Sequence, residues 1–221
     1  MHSMIEFVTS STGFQLFSLI GTTIAVLGAV ITGLAYHGNQ GERYSPLNHY
    51  ISELGETGVS RFSWIFNLSL ILTGLCLIPA CISLGLMLSG VLPKIGIAAG
   101  VVCSIGLSFV GVFPMNKMKP HGIAAMTYFR AGLVMVILFS LGIALQPASE
   151  PVLSRWYALA GLLPIVSFSV FLLLIQTASG KDDNPLSLGE MERPKVWPLV
   201  IAEWMIFLTL MSWFQLIANG F

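Results

Sequence analysis

Two histidines and two glutamates are the groups in this chain best suited to chemistry. His49 and Glu53 stand four residues apart, a spacing that makes neighbours on one face of a helix. His121 lies in a later polar connection, and Glu203 sits inside an apolar run. An imidazole beside a carboxylate can pass a proton, or with a further ligand hold a metal. His49, Glu53 and His121 are therefore the candidates for an acid–base set. Structural hydrogen bonding uses the same groups equally well, and two histidines with one glutamate carry no metal motif. No metal or cofactor is expected, since the chain also lacks a glycine-rich phosphate loop and a dinucleotide fingerprint.

A second set lies deeper. Arg130 and Glu203 each fall six residues past the start of a helical run, at Ala124 and Trp197. At about 1.5 Å per residue, both are carried roughly 9 Å into the hydrocarbon from the same side. Asn67 and Ser108 fall at comparable depth. An ionisable group in hydrocarbon is costly and faces a partner or a cavity. An Arg130–Glu203 ion pair is expected, either as a register lock or as part of a polar pocket open to one side. His49, Glu53, Asn67, Ser108, His121, Arg130 and Glu203 together are the candidate binding residues.

The elements that must position these groups are six apolar stretches: 14–36, 62–87, 95–113, 123–145, 156–175 and 197–218. A bilayer core needs about 20 apolar residues per helix, and within it the backbone must satisfy itself. The expected fold is all-α: one six-helix transmembrane bundle spanning 1–221 as a single domain. Of the residues, 55% are hydrophobic and only 9% charged, against about a quarter charged in soluble domains. Zero formal net charge leaves no basic face for nucleic acid. Membrane lipids are the partners this composition implies. Cys76, Cys81 and Cys103 all fall within spans and read as small packing residues, not a disulfide framework. The first span lacks a basic leader and a cleavage site, so it reads as a retained helix and not a signal peptide.

Three further expectations concern layout. Gly96, Gly100, Ser104 and Ser108 recur every four residues, a small-residue stripe that brings backbones close and marks the third span as a central helix. Pro79 and Pro164 are expected to kink the second and fifth spans. Loops after spans one, three and five hold Arg43, Arg61, Lys117, Lys119, Lys181, Arg193 and Lys195, against Lys94 and Arg155 opposite. That asymmetry puts those loops in the cytoplasm and both termini outside. Trp64, Trp156 and Trp197 near span starts read as interfacial anchors.

The first polar loop has its own pattern. Ser45 and Pro46 suit a helix start and Gly55 its end. Leu47, Tyr50, Ile51 and Leu54 form an apolar stripe opposite Asn48, His49, Ser52 and Glu53. The spacing predicts a short amphipathic helix at the interface or folded over the bundle. Gly55 and Gly58 are expected to turn the chain, with Ser60 capping the second span.

Several of these residues carry a resemblance. The run 48–55 (Asn-His-Tyr-Ile-Ser-Glu-Leu-Gly), then Phe66-Asn67-Leu68 with Gly74, and Gly111-Val112-Phe113-Pro114 with His121-Gly122 resemble a prokaryotic family of uncharacterised six-helix membrane proteins, domain of unknown function 998. More distantly, the loop followed by Phe-Asn and a histidine before the fourth helix is similar to the eukaryotic Frag/DRAM/Sfk group. The resemblance implies six helices in a prokaryotic plasma membrane and no established activity. The eukaryotic group adds an association with lipid handling, remodelling of lipid-anchored proteins, autophagy and membrane organisation. Its members place the first loop outside, opposite to the charge count here. Ceramidase-like intramembrane hydrolases need several histidines and an aspartate within their helices, which this chain lacks. The sequence thus points to a membrane protein whose one-sided polar pocket binds or handles lipid. The alternatives are a lipid-modifying enzyme using His49, Glu53 and His121, and a small-solute transporter built on Arg130 and Glu203.

Overall fold

The apolar runs fold as the bilayer argument requires. The structure, a computed structural model, describes residues 2–147, 149, 151–179 and 193–221. A short helix α1 (His2–Val8), which the apolar pattern did not announce, precedes α2 (Ser11–Ala35), α3 (Ser63–Met87), α4 (Val91–Val112), α5 (Met118–Leu145), α6 (Leu162–Ser179) and α7 (Pro198–Ala218). Six of these segments are long and apolar enough to cross a membrane, and no strand occurs among the described residues. The protein is a multi-pass all-α membrane bundle. Helix starts follow local chemistry: the Ser10 hydroxyl accepts the Gly13 N–H of α2, and Pro198 occupies the first turn of α7, where its missing N–H costs nothing.

The helices close into a ring in chain order, α2 through α7, with α7 returning to α2. The most enclosed span is α7, with 61% of its apolar window buried against 44% for α4. The expectation of a central third span is therefore corrected. The small-residue stripe does permit close approach, but at the α3–α4 seam. A methyl group on Gly74 of α3 would collide with the Ser104 carbonyl oxygen, so small residues are needed on both helices. Side chains of α7 reach furthest into the interior instead, with Trp213 fully buried and stacked on Phe139 of α5. Pro164 is also relocated. A 3₁₀ turn, Arg155–Gly161, precedes α6, so this proline stays within the fifth span but lies in the first turn of its α-helical part; Pro79 is inside α3. Lys181, counted above for topology, lies outside the described residues.

The first polar loop departs most from expectation. Residues 46–49 form turns, and only Ile51–Gly55 is helical, as a five-residue 3₁₀ segment. The amphipathic helix starting at Ser45 does not form. Residues 49–55 are all buried, whereas Leu47 is half exposed. The segment is not lying on the interface: it plugs one end of the ring. Asn67 of α3 donates to the Gly55 carbonyl at 2.9 Å, and a Cβ at Gly55 would meet the Asn67 side-chain oxygen. Gly58 then turns the chain at φ +88°, a conformation that suits glycine. Ser60 does not cap α3; its buried hydroxyl has no hydrogen-bond partner.

Candidate functional site

A 3₁₀ segment of five residues exposes backbone N–H groups at its start that no internal carbonyl can satisfy. Here two buried carboxylates take them. Glu53 reaches back to accept the Tyr50 N–H at 2.8 Å. Glu203, from α7, accepts the Ile51 N–H at 2.8 Å, with the Ser52 amide and hydroxyl also directed to it. The loop is thus pinned to α7 by a long-range cap, which no local pattern in the loop encodes.

Around Glu53 lies a clasp. Arg193, just ahead of α7, grips both carboxylate oxygens, Nη1 to Oε1 at 3.0 Å and Nη2 to Oε2 at 2.8 Å. Its Nη1 also donates to the Asn48 carbonyl at 3.2 Å, and the Trp197 N–H donates to the Leu47 carbonyl at 2.8 Å. Glu53 is wholly buried while Arg193 keeps 28% of its side chain exposed. The Tyr44 hydroxyl donates to the Tyr50 carbonyl at 2.9 Å and accepts the Trp204 indole N–H at 3.0 Å. His49 sits against the Tyr36 and Tyr44 rings. Burial holds its imidazole below the usual histidine range, more strongly than the Glu53 charge raises it. Burial likewise pushes the Glu56 carboxyl up, reinforced by the neighbouring Glu53 charge. Glu53 has an arginine fork and an amide on its oxygens, which leaves it poorly placed as a base or a metal ligand. The sequence missed Arg193 as a site residue, because it stands 140 positions from Glu53 and reads as an ordinary loop cation.

On the α5 side of the segment are two small cavities of about 40 and 60 Å³ that share Ser52, His121, Ala125, Phe129 and Glu203 as walls. The larger adds Tyr50, Gly122, Met126, Phe171 and Ile175 among its lining. His121 Nδ1 lies 2.7 Å from the Phe113 carbonyl oxygen. A carbonyl only accepts, so Nδ1 carries the proton and a neutral ring keeps its lone pair on Nε2. Tyr50 is 4% exposed, and its buried hydroxyl has no hydrogen-bond partner. Gly122 faces open space, with no atom within 4 Å of where a Cβ would stand. Phe171 and Ile175 of α6 line the same cavity as Gly122.

The seven residues singled out by sequence therefore part company. His49 and Glu53 belong to the clasp and are buried, not on a solvated face. His121 lines the cavity with Glu203, and no three of His, Cys, Asp and Glu converge as metal ligands among the described residues. Asn67 fastens the loop, and the Ser108 hydroxyl donates across the seam to the Ile71 carbonyl at 3.3 Å. The Arg130–Glu203 pair does not form. Arg130 is exposed on α5, while Glu203 turns inward to the loop amides. The two side chains lie on different sides of the ring wall, Arg130 outside and Glu203 buried within.

A family model described as protein of unknown function (DUF998) matches residues 19–218, and the chain belongs to that family. Comparison with curated proteins and with solved structures finds no match, and nothing in these comparisons shows a link to the Frag/DRAM/Sfk group.

Proposed function

We propose that this member of the family binds a membrane amphiphile, taking its polar end into the cavity between the first loop, α5, α6 and α7. The observation that supports the reading is the composition of the cavity wall. Ser52, His121, Glu203 and Tyr50 gather at the loop end, Tyr128 stands two turns further along α5 than His121, and the other walls are apolar side chains. A site of that make-up suits a molecule with one polar end and a long apolar remainder. The open space at Gly122, on a cavity wall shared with Phe171 and Ile175 of α6, gives the tail a route to the surrounding lipid. Orientation follows the charge asymmetry: the loop end faces the cytoplasm of a prokaryotic cell, in its plasma membrane.

Gly122→Leu tests the reading. The added side chain enters the open space without a backbone clash and removes a helix-interior glycine, worth up to about 1 kcal/mol in helix propensity. The variant is expected to melt at or above the wild-type temperature in detergent while losing at least tenfold of the lipid retained in native mass spectrometry. Unchanged lipid identity and occupancy in Gly122→Leu would overturn it.

A further inference from the structure

We infer that the polar end taken by this cavity is an ammonium group, so that the ligand is a long-chain amine and not a phosphate-bearing lipid. The inference rests on the amphiphile-binding reading and specifies its chemistry. The first observation is the sign of the wall. The residues lining the two cavities include no lysine and no arginine. Arg193, the nearest described cation to the loop segment, has its guanidinium on Glu53, and Arg130 points outward. What remains are acceptors: the Glu203 carboxylate and the lone pair at His121 Nε2. An anionic phosphate brought among them would find neither a lysine nor an arginine to receive it. A donor-rich cation would meet its complement.

The second observation is independent of the charge. Tyr50 lines the larger cavity, and its buried hydroxyl has no hydrogen-bond partner. A buried hydroxyl without a partner is uncommon in native structures and points to a group that is supplied from elsewhere. An ammonium has three N–H donors, which matches three acceptors on this wall: Glu203, His121 Nε2 and the Tyr50 hydroxyl oxygen. The third observation is size. Volumes of about 40 and 60 Å³ admit a few water-sized groups, enough for an ammonium and its first methylenes. Glu203 already accepts the Ile51 amide and has the Ser52 amide and hydroxyl directed to it, yet none of these neutral donors is a cation. That carboxylate has about four lone-pair sites, so capping the loop and holding a cation are compatible.

The test uses the purified full-length protein in a non-ionic detergent with three probes of equal chain length: dodecylamine, dodecanol and dodecyl phosphate. Binding is read by native mass spectrometry and by the shift in melting temperature. Dodecylamine is expected to bind at least tenfold more tightly than either of the others. Glu203→Gln keeps an acceptor oxygen for the Ile51 amide, and should reduce dodecylamine affinity at least tenfold while leaving dodecanol within threefold. Tyr50→Phe removes a hydroxyl that has no partner in the free protein. It should melt at or slightly above wild type and still weaken dodecylamine about fivefold. Equal or tighter binding of dodecyl phosphate or dodecanol would overturn the ammonium assignment while leaving amphiphile binding intact. Absence of binding by all three probes, together with unchanged lipid retention in Gly122→Leu, would instead remove the reading beneath it. Undiminished dodecylamine binding in both Glu203→Gln and Tyr50→Phe would place the amine elsewhere and overturn the proposal.

Discussion

Glu53 belongs to the five-residue 3₁₀ segment and Glu203 to α7, and each accepts one of the free amides at the segment's start. Their surroundings then diverge. Glu53 lies in a clasp whose arginine fork neutralises it and ties the start of α7 to the first loop. Glu203 faces a cavity with no cation on its wall. One carboxylate is spent on structure, and the other retains capacity for a ligand. Residue type and burial are nearly the same at both positions, so neither one identifies a site. What separates them is whether the charge already has a partner, and only the neighbours supply that.

Removing the clasp should produce the largest stability loss. Arg193→Met leaves Glu53 buried without its counter-charge and is expected to cost roughly 2–3 kcal/mol, at or below the lower end for buried pairs because Arg193 keeps contact with water. Adding Glu53→Gln to it should restore part of the loss, since no uncompensated charge then remains. Strictly additive losses in detergent melts would show that the fork carries no coupling. Such a result would erase the contrast with Glu203.

A smaller effect is expected from acid. His49 belongs to the clasp side, and its folded pKa is depressed by burial. The unfolded chain therefore takes up this proton at a higher pH than the folded one, near the ordinary value of about 6.5. The contribution of His49 to stability is present above that pH and is lost as pH falls below it towards the folded value. Melting temperatures of wild type and His49→Gln, compared between pH 7.5 and 5.5, should converge as the pH is lowered. Parallel curves across that range would mean His49 is protonated in both states or in neither, and would weaken the picture of a dry clasp.

The smallest effect should come from Arg130→Gln. The side chain is exposed and does not serve Glu203, so the change should stay within about 0.5 kcal/mol. A loss above 1 kcal/mol that is rescued by Glu203→Gln would reinstate the intramembrane pair and take away the free carboxylate on which the cavity's chemistry depends.

The six spans were legible because hydrocarbon thickness and backbone satisfaction act on composition and length, which the chain displays directly. Glu203 and His121 were likewise legible as unusual, one as a charge in an apolar run and the other as an imidazole beside a helix start. The loop was legible only in part. Its turn at Gly58 follows from local conformation, but its apolar stripe pointed to an amphipathic α-helix, while seven consecutive residues are buried and five form a 3₁₀ turn. A local pattern assumes one wet face, and here the ring of helices covers both.

Pairing was decided by tertiary structure alone. Arg193 is separated from Glu53 by 140 positions, and Ile51 from Glu203 by 152, so no spacing rule reaches either contact. Depth along a helix follows from counting residues, which is why Arg130 and Glu203 were placed at one level. Azimuth depends on how each helix is rotated against its neighbours, and that is set by packing such as Trp213 on Phe139 and the close approach at Gly74. The sequence determined a six-span membrane bundle and which residues in it are costly to bury. The tertiary structure decided which of those costs are already offset, because partners are chosen by rotation and proximity that the linear order does not contain.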